Sequence, residues 1–433
     1  SKVSKSIERG RYGCNLHGAI QTITQIQGVV PILHTTPGCG LQHDIAKKVG
    51  SAFAAYVQGY EIPSSNVYEK QIIFGGTSRL REQIKNTVKV MKGDLYVTLS
   101  GCESEMVGDD SISMTQEIVD QGEKAINYRA PGFKGDQYIG YEGIVSTLID
   151  KLPSVYENVE EESSDNRIKV NILGIIPVQD IYWQGNLDEI QRVLQSLGIK
   201  VNKLLGYKQS IDNWRRMNTA NLNVVVSKWG IEAAKKLKKL YHTPYIVVDN
   251  LGMGPDAMEL LVDQVAKEIP IQVDIARDFF REEKQRFRYA LKQIAEYYYD
   301  YDFQKSVVIV GDESTTIRYA DFLTRYLGME ILAIIITDFV GEETKQEPSE
   351  YLRSLAYDIY YKKDTREVSQ IIEEANPELV LGSSLEEEIA RSLGAYHYTI
   401  SYPAYNKVII SSCNVGYEGG IGLIENLSSV LLQ

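Results

Sequence analysis

The chain has 433 residues, of which 43% are hydrophobic and 24% are charged, and its formal net charge is −12. At roughly 150 residues per domain this length allows two to four domains, and we expect three. The negative charge disfavours nucleic-acid binding, because phosphates must be neutralised by cations. No stretch reaches the roughly 18 apolar residues of a membrane span, and no apolar signal core follows the charged N-terminus, which predicts a cytoplasmic protein.

Apolar runs alternate with amphipathic stretches of helical length along the chain. This pattern is typical of parallel sheets that are covered by helices on both faces. The predicted strands, most of which end in a glycine-containing loop, cover residues 29–34, 95–99, 172–177, 224–227, 245–248, 307–310, 331–336 and 379–381. The sequence therefore predicts an α/β protein of three domains, each a Rossmann-like parallel β-sheet flanked by α-helices.

Two positions are candidates for domain boundaries. The acidic segment 157–167 has no hydrophobic periodicity and predicts a linker, so we place one boundary near residue 165. A polar helical stretch, 277–299, precedes a new strand–helix–strand unit that starts at Val307, which places the other boundary near residue 275. The predicted domains are an N-terminal one (1–165) with the first three cysteines, a middle one (166–275) and a C-terminal one (276–433).

Three of the four cysteines directly follow a glycine, although the chain has only 34 glycines. At this chain's glycine frequency of about 8%, against average usage of about 7%, the odds that three given cysteines each follow a glycine are about 1 in 2,000. A glycine lets the backbone approach a bulky ligand closely and direct its N–H groups at anionic sulfide. We therefore predict an iron–sulfur cluster with the ligands Cys14, Cys39 and Cys102, for which Gly13, Gly38 and Gly101 make room.

Cys39 and Cys102 each follow the end of a predicted strand, at the sheet edge where open α/β proteins bind their ligands. The three cysteines are too far apart in the sequence for a zinc ribbon or a ferredoxin motif, so the fold has to assemble the site. Such clusters generally take four protein ligands, and the fourth comes from Cys413 or from another chain. For Cys413 we favour a structural role. The alternative for Cys14, Cys39 and Cys102 is that they are buried thiols that pack as small apolar residues.

Other motifs have structural interpretations that we prefer. His34 and His43 flank Cys39 and could tune a cluster, but a strand end and a helix start explain them. The acidic run 103–110 predicts the start of a helix rather than paired catalytic carboxylates. The segment 252–255 lacks the third glycine of a dinucleotide loop, and no phosphate-binding Gly-x-x-x-x-Gly-Lys motif is present, so any ATP hydrolysis takes place on another protein.

The order and spacing of several motifs resemble nitrogenase component 1, above all its β-type subunit. These motifs are Gly13-Cys14, 28–34, Gly38-Cys39, 74–76, 101–110, 376–384, 400–403 and 416–419. The resemblance implies that Cys14, Cys39 and Cys102 ligate an interfacial cluster, either the [8Fe-7S] P-cluster or a [4Fe-4S] relative. It also implies an α-type partner chain in an αβ or α2β2 assembly, and a separate ATP-hydrolysing iron protein as the electron donor.

The resemblance implies a β-type subunit of a nitrogenase-like reductase, which relays electrons to a cofactor site in the α-type partner, as in nitrogen fixation. No cysteine lies between Cys102 and Cys413, so the thiolate that holds the catalytic cofactor in α-type chains is missing. We therefore assign no catalytic residue. Two alternatives stay open, a scaffold for nitrogenase cofactor assembly and a cluster-free α/β enzyme that binds a nucleotide or sugar. The short chain and the unusual sequence Cys14-Asn15-Leu16-His17-Gly18 leave the substrate undetermined.

Overall fold

The computed structural model describes residues 11–34, 73–74, 88, 92–100, 105–130, 135–157, 159 and 164–433. These residues form two compact units. One unit contains the described residues within Ser1–Tyr12, Val178–Ile199 and Ile246–Gln433. The other contains those within Gly13–Pro177 and Lys200–Tyr245.

The first sheet is parallel and belongs to the unit that begins at Gly13. Its order is β2–β1–β3–β4, with β1 Val29–His34, β2 Ile73–Phe74, β3 Leu95–Ser100 and β4 Ala125–Arg129. Every residue of β3 is buried, as expected for an inner strand with both faces covered. The helices beside this sheet are α1 Asn15–Ile23, α2 Glu105–Asp120 and α3 Gln137–Val155.

Helices α1 and α3 cross at a point where each contributes a glycine. A Cβ atom on Gly140 of α3 would collide with the carbonyl oxygen of Asn15, and one on Gly18 of α1 would collide with that of Gln137. Because glycine has no Cβ, the two backbones can touch. All residues of α1 are buried as a result of its close packing.

The second sheet has the order β6–β5–β7–β8, and β5, β6 and β7 lie in the same unit as the first sheet. Its strands are β5 Lys169–Leu173, β6 Lys200–Asn202, β7 Leu222–Val225 and β8 Tyr245–Val247. Along this stretch the helices are α4 Trp183–Gln195, which belongs to the other unit, α5 Ile211–Arg215 and α6 Ile231–Tyr241. The strand predicted at 172–177 was placed too late, because Gly174 adopts φ 102° and the chain leaves the sheet there.

The third sheet lies in the unit that ends at Gln433 and has the order β11–β10–β9–β12–β13. Its strands are β9 Ser306–Gly311, β10 Glu330–Ile336, β11 Asp358–Tyr361, β12 Leu379–Gly382 and β13 Tyr396–Thr399. The remaining helices are α7 Pro255–Glu268, α8 Arg277–Gln293, α9 Ala295–Asp300, α10 Glu313–Leu327, α11 Glu350–Leu355, α12 Thr365–Ala375, α13 Glu387–Ser392 and α14 Gly416–Leu431. Side chains of β9 alternate between two apolar cores, Val307 and Ile309 in one and Val308 and Val310 in the other. The central strand β9 is therefore covered on both faces, and later strands are added on either side of it, β10 and β11 on one side and β12 and β13 on the other.

The predicted fold class is confirmed, since three parallel sheets flanked by helices are present. The predicted domain boundaries near residues 165 and 275 stay predictions. Part of the predicted linker 157–167 lies outside the described residues. Among the helices that the structure describes, none is both long enough and apolar enough to cross a membrane.

Candidate functional site

Cys14 is the N-cap residue of α1. Its backbone is extended, with φ −82° and ψ 172°, and its side chain is exposed. The backbone forms an antiparallel bridge with Asp136, which is the N-cap residue of α3. The partial positive charge at a helix N-terminus favours the thiolate, which is the form of cysteine that binds metal. This position suits a metal-ligating cysteine.

A buried polar network fixes the backbone immediately before Cys14. Gln137 is fully buried, and its Oε1 accepts a hydrogen bond of 2.8 Å from Gly13 N–H. Its Nε2 lies 3.1 Å from His17 Nδ1 and 3.0 Å from Gln21 Oε1. A Cβ atom on Gly13 would collide with the His17 ring, so packing alone requires a glycine there. The predicted role of Gly13 toward a cofactor stays a prediction.

Two buried polar atoms near the predicted ligands have no hydrogen-bond partner within the part of the chain that the structure describes. One is Nδ2 of Asn15, the residue after Cys14, and the other is Oγ of Ser100, two residues before Cys102. A buried donor without a partner costs about 1–3 kcal/mol. Sulfide and thiolate sulfur accept hydrogen bonds, so these residues fit a metal–sulfur cluster.

Tyr128 of β4 connects the first sheet to the start of α1. Its buried hydroxyl donates a hydrogen bond of 2.6 Å to Asn15 Oδ1. Burial raises the pKa of Tyr128 far above its ordinary range, the bond to Asn15 opposes this increase, and the charge of Cys14 adds to it. The hydrogen bond to Asn15 therefore links β4 to the residue that follows Cys14.

Strands β1 and β3 end side by side at one edge of the first sheet. His34 pairs with Ser100, and Ser100 pairs with Arg129 at the end of β4. The segments that lead to Cys39 and Cys102 start from the ends of β1 and β3. Because Tyr128 precedes Arg129, the contact between β4 and α1 lies near this edge as well.

Several predicted site residues lie outside the described residues, namely Gly38, Cys39, His43, Gly101 and Cys102. Among the residues that are described, no group of three or more histidine, cysteine, aspartate or glutamate side chains could hold a metal ion. The set of three cysteine ligands therefore stays a prediction. The helix predicted in the acidic run 103–110 is present, since α2 begins at Glu105.

Cys413 lies in the loop before α14 and is partly buried. Its thiol donates a hydrogen bond to the carbonyl oxygen of Val415 at 3.6 Å. Burial raises the pKa of Cys413 to about 12, with a further contribution from Glu189. A cysteine that is held as a neutral thiol is a poor metal ligand, which agrees with a structural role.

The loop before α7, which has a weak similarity to a dinucleotide loop, is paired with the start of α14. Met253 forms a parallel bridge with Gly416, and Gly254 N–H donates a hydrogen bond of 3.0 Å to the Gly416 carbonyl oxygen. Gly254 has φ 87°, and a Cβ atom there would press on the Tyr326 ring. Packing against a helix start explains these glycines without a nucleotide.

The match to a family model decides which proteins this chain is related to. Residues 14–432 match the model of the family described as nitrogenase component 1 type oxidoreductase. The chain belongs to this family. Members of the nitrogenase component 1 family are subunits of multi-electron reductases, so the prediction of an oxidoreductase subunit is confirmed.

Three relatives illustrate the range of the family. The chain is 24% identical over 450 residues to a nitrogenase molybdenum-iron protein beta chain of Methanococcus maripaludis, which covers 97% of this chain and 93% of the relative. It is 21% identical to a light-independent protochlorophyllide reductase subunit of Heliobacterium modesticaldum, over 95% of this chain and 77% of the relative. It is 25% identical to the nitrogenase iron-molybdenum cofactor biosynthesis protein NifE of Clostridium pasteurianum, over 88% of this chain and 80% of the relative.

Solved structures support the fold. The structure described as nitrogenase Cp1 at pH 5 aligns with a TM-score of 0.72 at 17% identity, over 100% of this chain and 90% of that chain. Together with the beta-chain relative, this match confirms the predicted resemblance to β-type nitrogenase component 1 chains and the predicted fold.

The sequence did not identify the residues around Cys14 that carry the local geometry. His17 belongs to the motif that we noted as unusual, and its ring packs against Gly13 and contacts Gln137, which binds the Gly13 N–H. Gln137 and Tyr128 carry no signal in one sequence, because they are distant from Cys14 along the chain and of ordinary composition.

Proposed function

We propose that this chain is the electron-relay subunit of a nitrogenase-like reductase complex. In this proposal Cys14, Cys39 and Cys102 hold an iron–sulfur cluster that is shared with an α-type partner, and an ATP-hydrolysing iron protein supplies the electrons. The observation that carries the proposal is the common end of β1 and β3. The segments to Cys39 and Cys102 start there, and the Tyr128 contact brings Cys14 toward the same edge.

The chain's own residues supply specific parts of such a site. Cys14 offers an accessible thiol at a helix N-terminus, and the network of Gln137 and His17 holds its backbone. Asn15, the next residue, is buried and accepts a hydrogen bond from the buried Tyr128 hydroxyl. A bound iron–sulfur cluster supplies one-electron transfer. Because such clusters generally take four protein ligands, three cysteines leave the remainder of the shell to a partner chain.

The proposal includes a reducing compartment, because thiolate ligands must stay unoxidised, and we therefore place the complex in the cytoplasm. Both an eight-iron P-cluster and a four-iron cluster satisfy the proposal, and counting iron distinguishes them. The natural substrate is a separate question, since the relatives include a nitrogenase chain and a subunit of a protochlorophyllide reductase.

A scaffold for cofactor assembly is the second candidate function. The similarity to NifE, a cofactor biosynthesis protein, supports it. The presence of all three cysteines favours the relay, because an assembly protein can hold its cargo with fewer ligands. The cluster-free interpretation required the motif similarity to be accidental, and the family match over residues 14–432 removes that basis.

Anaerobic co-purification with the α-type partner tests the proposal. We expect a brown heteromer that contains iron and acid-labile sulfide in the ratio of one of the two cluster types. A colourless, iron-free heteromer would refute both the relay and the scaffold. To separate these two, the complex is mixed with the iron protein and ATP. A relay turns over acetylene or another small substrate, whereas a scaffold holds metal without turnover.

The Cys14→Ala variant should lose or distort the metal site and weaken the heteromer, because the cluster loses an anchor. Iron content per chain and elution volume on size exclusion measure both effects. Cys413→Ala is the matched control and should keep its iron, since its thiol is held by Val415. Loss of iron in Cys413→Ala would show that the fourth ligand is internal.

A further inference from the structure

Asn15 has an unusual hydrogen-bonding state for a buried amide. Asn15 is only 4% exposed, and its Oδ1 accepts a hydrogen bond of 2.6 Å from the Tyr128 hydroxyl. Its Nδ2 has no acceptor in the part of the chain that the structure describes. Buried amide nitrogens nearly always have a partner, because leaving one unpaired costs about 1–3 kcal/mol. The acceptor for this donor therefore lies outside the described residues, and the position of Asn15 directly after Cys14 makes a ligand at Cys14 a candidate.

The surroundings of Asn15 hold the amide in one orientation. Tyr128 is 2% exposed, so its hydroxyl has little freedom to leave Oδ1. Gly143 of α3 makes room for this hydroxyl, since a Cβ atom there would lie 2.5 Å from the Tyr128 oxygen. With Oδ1 fixed in this way, Nδ2 is the end of the amide that is available to a ligand. Three separate elements, α1, β4 and α3, thus build one donor next to Cys14.

We propose that Asn15 donates a hydrogen bond through Nδ2 to a sulfur atom of the cluster at Cys14, with Tyr128 as the positioning residue for the amide. This inference rests on the proposed function and names a residue that sets the behaviour of its cluster. An N–H donor stabilises the more negative, reduced form of an iron–sulfur cluster over the oxidised form. The pair of Asn15 and Tyr128 therefore raises the reduction potential of the cluster.

The test uses the anaerobic heteromer with the Asn15→Leu substitution, which keeps the side-chain size and removes the donor. We expect iron content to be retained while the ratio of reduced to oxidised cluster at a fixed potential falls roughly tenfold, a midpoint lower by about 59 mV for one electron. A redox titration followed by electron paramagnetic resonance measures this ratio. Pulsed electron–nuclear double resonance in deuterated buffer should show an exchangeable proton in the wild type that is missing in the variant.

Tyr128→Phe is the second variant, because it keeps Asn15 and removes only the group that orients it. We expect a change in potential of the same sign and smaller size. The matched control is Asn223→Leu in β7. Asn223 is also fully buried, its Oδ1 accepts a hydrogen bond of 2.8 Å from Asn171, and its Nδ2 is likewise unpaired within the described residues. This control should affect stability and leave the potential unchanged.

An unchanged potential in both Asn15→Leu and Tyr128→Phe, with iron retained, overturns the inference while the proposed function stands. If Asn15→Leu fails to hold iron, the potential of Tyr128→Phe decides alone. A wild-type heteromer without iron instead refutes the proposed function, so the two failures are distinguishable.

Discussion

Cys14 and Cys413 differ in solvent exposure and hydrogen bonding, although each lies shortly before a helix, Cys14 before α1 and Cys413 before α14. Cys14 is exposed and caps α1, where the helix N-terminus favours a thiolate. Cys413 is partly buried, bonded to a carbonyl oxygen, and its pKa is raised to about 12 by burial. Local chemistry therefore separates a candidate ligand from a structural thiol.

Alkylation of the metal-free chain tests this contrast. We expect iodoacetamide to modify Cys14 readily at pH 7, whereas Cys413 reacts slowly, because a pKa of about 12 leaves roughly one thiolate in 100,000 there. The rate at Cys413 should rise about tenfold per pH unit between pH 7 and 9, since each unit multiplies its thiolate fraction by ten. Peptide mass spectrometry measures each site. In guanidinium chloride the two rates should become similar, and equal rates in the folded chain at pH 7 would contradict the assignment.

The glycine–cysteine pairs were visible in the sequence because they are local. Gly13 precedes Cys14, and a glycine is needed there because a Cβ atom would collide with the His17 ring. The roles of Gln137 and Tyr128 could not be predicted, because each depends on which helix or strand packs beside α1 in the folded chain.

At the scale of elements, the crossing of α1 and α3 positions Cys14, since α1 starts at the residue after it. Gly18 and Gly140 leave no space for a side chain at the crossing. A methyl group there would push the two helices apart and move the start of α1.

The Gly140→Ala variant should therefore lower the free energy of unfolding by about 3 kcal/mol. Gly422→Ala in α14 is the control, because no atom lies within 4 Å of the position of its Cβ. It should be neutral or stabilising by about 0.5–1 kcal/mol, since alanine favours a helix over glycine. Urea denaturation followed by circular dichroism measures both. A Gly140→Ala variant as stable as the wild type would show that the crossing can relax.

Most inner strands were predictable, and several strands at sheet edges were not. The runs that became β1, β3, β9 and β10 are continuous stretches of apolar residues, and their predicted and observed bounds agree to within a residue or so. Strands β6 and β11 contain Lys200 and Asp358 and lie at sheet edges, so their apolar pattern is weak. Burial on both faces produces the sequence signal, and edge strands that contain charged residues lack it.

At the scale of the whole molecule, an ion-pair network joins segments that are far apart in the sequence within one unit. Arg192 of α4 binds Glu283 of α8 at 2.7 Å and Glu189 at 2.6 Å. Glu189 also accepts a hydrogen bond of 2.7 Å from the backbone of Glu418 in α14. Glu283 is 8% exposed, and although burial pushes its pKa up, Arg192 and Arg286 hold it below its ordinary value.

The Arg192→Met variant should lose about 2 kcal/mol of stability at pH 7, because two buried carboxylates lose their cation. The loss is smaller than for a fully buried pair, since the Arg192 side chain is 34% exposed and water screens its charge. Burial raises the pKa of Glu189, so the expected pH dependence rests on Glu283, whose pKa is lowered. The carboxylate of Glu283 stabilises the fold above its unfolded pKa and loses that effect as the pH falls. The wild type therefore loses this contribution toward pH 4, and the difference between wild type and variant should shrink there.

Urea denaturation at pH 7 and pH 4 measures this difference. Arg281→Met on α8, the helix that carries Glu283, is the control, because its ion pair with Asp278 is exposed and should change stability by less than about 0.5 kcal/mol. A constant difference between wild type and Arg192→Met at both pH values would show that packing, and not charge, explains the loss.

The sequence by itself determined the α/β class, the inner strands and the order of motifs that marks the family, because apolar periodicity and glycine–cysteine pairs are local features. Only the tertiary structure decided that β1, β3 and β4 end together, that Tyr128 holds Asn15, and that Arg192 meets Glu283. Such contacts join residues that are distant along the chain, and the packing of sheets and helices, rather than neighbouring sequence, brings them within hydrogen-bonding distance.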